Sequence, residues 1–366
     1  MRTQGSRQVA LDFGLIYEVV ARPQHDKSAA QEVFRDLVNQ VSIADQVGFH
    51  TVWNVEHHFL PDLSQASNND VLLGAYAAAT SNIRIGYGVK LLPFNYNHPV
   101  KAAEAGAVLD QISGGRAEFG TGRSVSREEL EGFGIEPDQT RPQWQESLQM
   151  IVKAWEDEEF TWDSESFKIP PRHVLPKPVQ DPHPPLWVAG SGPDSHSLAG
   201  ELGIGMLTFS VLVPLDEISR RIGLYKEGIK RCTKPAGKYI NDKVAPFAVI
   251  YCGETDEEAR ETAAAAAVEY SVVAAEIFGR FSTWAEKKES YAYVEDFEVP
   301  EVTFDHLNDE SMCIVGSPDT CIEKVRKYEK MGADMMIGNF QPPGLPVDKV
   351  KASIERFGKN VIPAFQ

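Results

Sequence analysis

The 366-residue sequence predicts a single-domain α/β protein, a (β/α)8 TIM barrel. Three observations predict it. Eight short β-rich runs alternate with longer helical patterns. The runs are apolar almost throughout, as strands covered on both faces must be. No linker or shift in composition divides the chain. A doubly wound open sheet is the competing arrangement, but a count of eight without a break favours closure.

The first run, LDFGLIYEV (11–19), precedes an amphipathic helix over 30–48 that ends at Gly48. HTVWNVE (50–56) is the second strand, with a helix over 69–80. IRIGYGVKLL (83–92) is the third, and Pro99 suits the first turn of the helix over 98–113. RAEFGTG (116–122) is the fourth, with a helix after Arg141. PLWVAGS (185–191), GMLTFS (205–210), VAPFAVIYC (244–252) and ADMMIGNF (333–340) complete the eight, and a closing helix runs from Pro346 to about Phe357. Two stretches interrupt the repeat. FTWDSESFKI (160–169) reads as an inserted hairpin leading into a proline-rich loop that extends to 184. Residues 281–306 are charged, aromatic and without period, as expected of an active-site lid.

Composition narrows the function. The formal net charge of −17 argues against nucleic acid and anionic membranes as partners. Any anionic ligand therefore needs a local cation or a helix N-terminus. No run approaches the roughly 18 apolar residues of a membrane span, and the start lacks the apolar core of a secretion signal. Cys232, Cys252, Cys313 and Cys321 form no C-x-x-C pair, so free thiols and a cytoplasmic location are expected.

Three strand ends carry chemistry, because ligands of a barrel bind where its strands terminate. Glu56, His57 and His58 close the second strand. Alternation along a strand sends adjacent histidines to opposite sides, and no H-E-x-x-H helix occurs, so a metal site is disfavoured. One histidine acting in proton transfer is the more economical reading; a polar strand end is the plain one. GTGRSVS (120–126) ends the fourth strand without the third glycine of a dinucleotide fingerprint. Arg123 there could hold a phosphate or cap the sheet edge. SGPDS (191–195) opens a helix after the fifth strand, where free N–H groups and the dipole favour an anion, although Ser191 could be a simple cap.

Together GFHTVWNVEHHF, RIGYGVKLLP, HPVKAAEAGAVLDQISGGRAEFGTGRS, PPLWVAGSGPDS and VGSPDTCIEKVRKYEKMGADMMIGNF resemble the bacterial luciferase-like flavin monooxygenases, almost end to end. The resemblance implies a barrel that binds FMN at its C-terminal rim, often as a homodimer. It implies reduced FMN supplied by a separate flavin reductase, dioxygen captured as a flavin hydroperoxide, and a small organic substrate that is oxygenated. Position by position, His57 matches the histidine that acts at the flavin, with Glu56 or a neighbouring polar group fixing its tautomer. Gly88 and Val89 match the passage beside the isoalloxazine, sometimes a non-proline cis peptide. Arg123, Ser191, Gly192 and Ser195 match the phosphate site. Gly122 stands where luciferase has a reactive cysteine, and Ser124, Val125 and Ser126 replace its Gly-Leu-Tyr. The FNYN stretch lengthens the loop after the third strand. These departures put light emission and a long-chain aldehyde substrate in doubt. A deazaflavin-dependent oxidoreductase and a non-catalytic flavin-binding subunit are the alternatives on the same fold.

Overall fold

The computed structural model describes residues 10–285 and 301–366. Its strands are β1 (Asp12–Tyr17), β2 (Thr51–Asn54), β3 (Arg84–Tyr87), β4 (Lys90–Leu91), β5 (Ala117–Gly122), β6 (Phe160–Asp163), β7 (Lys168–Arg172), β8 (Leu186–Gly190), β9 (Gly205–Thr208), β10 (Val244–Cys252), β11 (Cys313–Gly316) and β12 (Met335–Asn339). Eight of them close in parallel, in the order β1-β2-β3-β5-β8-β9-β10-β12 and back to β1. Closure is set by pairs such as Phe119 with Leu186, Ala245 with Leu207 and Phe13 with Met336. The fold is the predicted (β/α)8 barrel.

The helices are α1 (Lys27–Gln46), α2 (Asn69–Ala79), α3 (Pro99–Ser113), α4 (Arg127–Gly132), α5 (Pro137–Glu156), α6 (Pro193–Glu201), α7 (Leu215–Arg231), α8 (Asp256–Ala285), α9 (Phe304–Asp309), α10 (Pro318–Lys330) and α11 (Val347–Asn360). Local chemistry places their ends. The Asp26 carboxylate accepts from the N–H groups of Ser28 and Ala29 to start α1. Pro99 opens α3, and Gly114 stops it at φ 67°, a conformation glycine adopts freely.

The barrel interior is filled by side chains. Trp53 and Trp187 meet edge to face at 5.4 Å, packed with Leu91, Leu207, Met335 and Ile337. Gly86 makes room: a Cβ there would lie 2.3 Å from Cε3 of Trp53. This dry plug leaves the upper rim as the place for a cavity.

The structure revises several details. The third predicted strand divides at the Gly88–Val89 peptide, which is cis, into β3 and β4. CIVG (313–316) forms β11, an additional strand that pairs with β10 outside the closed ring. The fifth helix begins at Pro137, ahead of Arg141, and contains Pro142. The inserted hairpin is present as β6 and β7. Of the stretch 281–306, residues 281–285 finish α8 with Phe281 and Ala285 fully buried, and 286–300 lie outside the described residues. The 30-residue α8 is long and apolar enough to cross a bilayer, yet Ala263, Ala267 and Tyr270 are buried inside the fold, as in a core helix.

Candidate active site

The ends of β1, β2, β5, β8, β9, β10 and β12 surround one cavity. His57, Gly88, Val89, Arg123, Ser191 and Ser195 all line it. Gly192 does not; it is the N-cap of α6 just behind Ser191.

His57 follows β2 and is held by a residue that no sequence motif singled out. Its Nδ1 lies 3.1 Å from Oε1 of Glu129, a fully buried carboxylate in the first turn of α4. The same Oε1 accepts the His58 backbone N–H at 2.8 Å, and Oε2 accepts the Ser124 hydroxyl at 2.6 Å. Three donors thus fix the carboxylate, and it fixes the ring. Burial alone would lower the imidazole pKa. The Glu129 carboxylate outweighs it, by charge and by hydrogen bond, and with Glu18 and Glu56 raises His57 to about 9. His57 is therefore an imidazolium at neutral pH, where an unperturbed ring would be mostly neutral.

His58 turns the other way, as strand alternation predicts, although β2 itself stops at Asn54. Its ring meets Phe133 at 4.9 Å and Tyr96 at 6.1 Å, and it does not reach the cavity. Glu56 does not fix His57. It accepts the Leu91 N–H at 2.9 Å and the Asn97 amide at 3.0 Å, tying β4 to the end of β2.

Across the cavity lies an end suited to anions. Two residues beyond the paired Thr121 and Val188, the chain reaches Arg123 on one strand and Gly190 on its neighbour. Arg123 is steadied by Nη1 donating to the Thr140 hydroxyl at 3.3 Å. No side chain caps α6, so Ser191 is not the cap. The first N–H groups of α6, beside the Ser195 hydroxyl, are therefore not satisfied by a side-chain cap. A Cβ at Gly190 would fall 2.7 Å from that of Ser195, so the turn is a cradle only glycine allows. His196 behind it adds no charge: burial pushes its pKa down to about 4, and its ring bonds Gly192 O at 2.8 Å and Thr208 Oγ1 at 3.0 Å. Arg221, which no sequence motif marked, donates to the Ser191 carbonyl and sets the turn.

Gly122 also has a packing reason. A Cβ there would lie 2.4 Å from Cγ2 of Val89, so the position has no room for the cysteine of luciferase while Val89 stays in place. Among the described residues no group of three or more His, Cys, Asp or Glu could hold a metal. All four cysteines are free thiols.

An α/β barrel with a rim cavity, an end suited to anions and a half-buried histidine paired to a carboxylate has the layout of an enzyme site. The comparisons make the class particular. The profile of the luciferase-like monooxygenases matches residues 14–335, and the chain belongs to that family of flavin-dependent monooxygenases. The oxygenase component of the flavin-dependent trigonelline monooxygenase of Acinetobacter baylyi is 26% identical over 350 residues, covering 93% of this chain and 92% of its own. The oxygenating constituent of 3,6-diketocamphane monooxygenase from Pseudomonas putida, solved with FMN, has the same fold. Its TM-score is 0.78 at 23% identity, over 98% of this chain and 99% of that one. A glucose-6-phosphate dehydrogenase of Amycolatopsis mediterranei that depends on coenzyme F420 is 24% identical, over 92% of this chain and 96% of its own.

Proposed function

We propose that the protein is the oxygenase component of a two-component monooxygenase, using reduced FMN from a separate flavin reductase and dioxygen to oxygenate a small organic substrate. One observation carries this reading: a single cavity joins the anion end at Arg123, Ser191 and Ser195 to the His57–Glu129 pair. The donor set fits the FMN phosphate, since the uncapped α6 N-terminus, two hydroxyls and a guanidinium all donate to oxygen. Gly88 and Val89 line the same cavity and would lie beside the flavin ring. Bound reduced FMN supplies the two electrons that activate dioxygen.

The chain's own residues then do three things. Arg123, Ser191 and Ser195 anchor the phosphate and so fix the register of the ring. Glu129 occupies Nδ1 of His57, so the proton that this histidine can donate or share is the one on Nε2. Apolar walls, with Phe209, Phe247, Ile277 and Phe278 among them, exclude water from the reacting atoms. The charged histidine facing the cavity favours a catalytic chain over a silent subunit. A hydride-transferring deazaflavin enzyme is the second reading, supported by the dehydrogenase relative. The free thiols suit a cytoplasmic setting.

The phosphate assignment is tested by equilibrium binding of FMN and riboflavin. Arg123→Ala should weaken FMN at least about tenfold, the scale of one charge-assisted hydrogen bond, and leave riboflavin nearly unchanged. Equal losses for both ligands would move Arg123 out of the phosphate site.

A further inference from the structure

Glu18, just beyond β1, is a cavity-lining carboxylate that takes no part in anchoring the phosphate or orienting His57. The residue is only 5% exposed. Its Oε1 accepts the Tyr270 hydroxyl of α8 at 3.1 Å. Its Oε2 accepts no hydrogen bond from any described residue, and the nearest cationic group, Nε2 of His57, stands 3.8 Å away. That gap is too long for a hydrogen bond. A buried carboxylate oxygen without a donor is costly, and native proteins seldom leave one so.

The surroundings say what the missing donor belongs to. Tyr270 brings α8 against Glu18, and one to two turns along the same helix Ala274, Ile277 and Phe278 face the cavity. Phe247 of β10 lies 5.8 Å from the Tyr270 ring and closes the same side. This compartment lies at the β1 and β10 side, away from the phosphate end at β5 and β8. Arg123 is the only lysine or arginine among the described residues lining the cavity, and it belongs to that other end. The compartment therefore combines apolar walls with carboxylates and His57, and it offers an anionic substrate group no cation free of a carboxylate partner. Burial raises the Glu18 pKa above the ordinary carboxylate value, while the His57 charge and the Tyr270 hydrogen bond pull it back. Oε1 already receives a hydroxyl proton and His57 is cationic nearby, so Glu18 is held as an acceptor.

We propose that Glu18 is the substrate-recognising carboxylate of the site, and that the substrate is a small molecule with an apolar body and no anionic group that presents an O–H or N–H donor to Oε2. This rests on reading the cavity as the monooxygenase site, and it adds the substrate's chemical class to that reading.

Three probes that share a fluorophenyl ring test it: 4-fluorophenol, which donates, 4-fluoroanisole, which lacks the donor, and 4-fluoroacetophenone, which only accepts. Their affinities are measured by fluorine NMR on protein saturated with oxidised FMN, with flavin fluorescence reporting the cofactor in the same tube. The phenol should bind about tenfold more tightly than the anisole, as expected for a hydrogen bond to a charged acceptor. Glu18→Leu should abolish the difference and leave the anisole unchanged. If that variant does not fold, Glu18→Gln, which keeps the shape and removes the charge, should reduce the preference several-fold. Equal or absent binding of phenol and anisole by the unmodified protein overturns the proposal, as does a preference that survives both variants. Tighter binding of the acetophenone that depends on Glu18 also overturns it, because the carboxyl would then be a donor. Failure of FMN to bind would sink the functional reading instead, and the same probes, read on the flavin-free protein, would still decide the role of Glu18.

Discussion

The place of His57 at a strand end facing the cavity was legible from the sequence, but its charge was not. The sequence suggests an imidazole titrating near neutrality; the structure surrounds it with Glu129, Glu18 and Glu56 and lifts it to about 9. Glu129 escaped notice because its partner lies 72 residues away and because Ser126-x-x-Glu129 looks like an ordinary capping box. Ser126 does cap α4, accepting the Glu129 N–H at 3.2 Å, but the Glu129 side chain turns inward to the histidines. Glu129→Gln should lower the His57 pKa by at least about one unit, the usual scale for losing an adjacent opposite charge. Histidine-selective NMR titration checks this. Proton linkage ties the same shift to stability. A histidine whose folded pKa is raised contributes stability that is complete below its ordinary value of about 6.5 and is lost as pH rises towards 9. Thermal midpoints recorded across that window should therefore fall more steeply for the unmodified protein than for Glu129→Gln.

At the scale of elements, the eight strands were readable because each is a short apolar run bounded by turn residues. What sequence could not show was the break inside the third strand. Nothing in the apolar pattern of GYGVKLL marks the break; only the family resemblance pointed to a cis peptide at Gly88 and Val89, and the structure has it there. Val89 and Gly122 then pack so closely that Gly122→Cys must push Val89 aside. That overpacking should cost about 1–3 kcal/mol, seen as a lower melting temperature, and should perturb FMN binding because Val89 lines the cavity. An unchanged melting temperature would mean that the wall yields freely. The turn after β8 was half legible: its glycines and serines were marked, whereas Arg221 reaches Ser191 from α7, 30 residues on.

At the scale of the molecule, the barrel gathers distant residues at one rim and leaves an apolar strip on its flank. Val71 of α2 and Val108 and Ile112 of α3 are exposed, and Ile112 lies 3.8 Å from the Cβ position of Gly74. The four-residue spacing of Val108 and Ile112 puts both on one face of α3. We propose that this face pairs two copies of the chain. Light scattering should give a dimer mass, and Val71→Lys with Ile112→Lys should give monomers; a monomeric unmodified protein contradicts the proposal.

If the barrel binds reduced FMN and His57 governs its reaction with dioxygen, both should be visible in one measurement. Anaerobic titration with reduced FMN, then rapid mixing with oxygenated buffer, tests them most directly. The expected result is saturable binding of one reduced FMN per chain, with hydrogen peroxide released slowly from the unmodified protein and at once from His57→Ala. With a turned-over substrate, the same variant should lose about 10²–10⁴ in product formed per flavin oxidised. Failure to bind reduced FMN, together with tight binding of reduced coenzyme F420 and indifference to dioxygen, would contradict this function and make the protein a hydride-transfer enzyme.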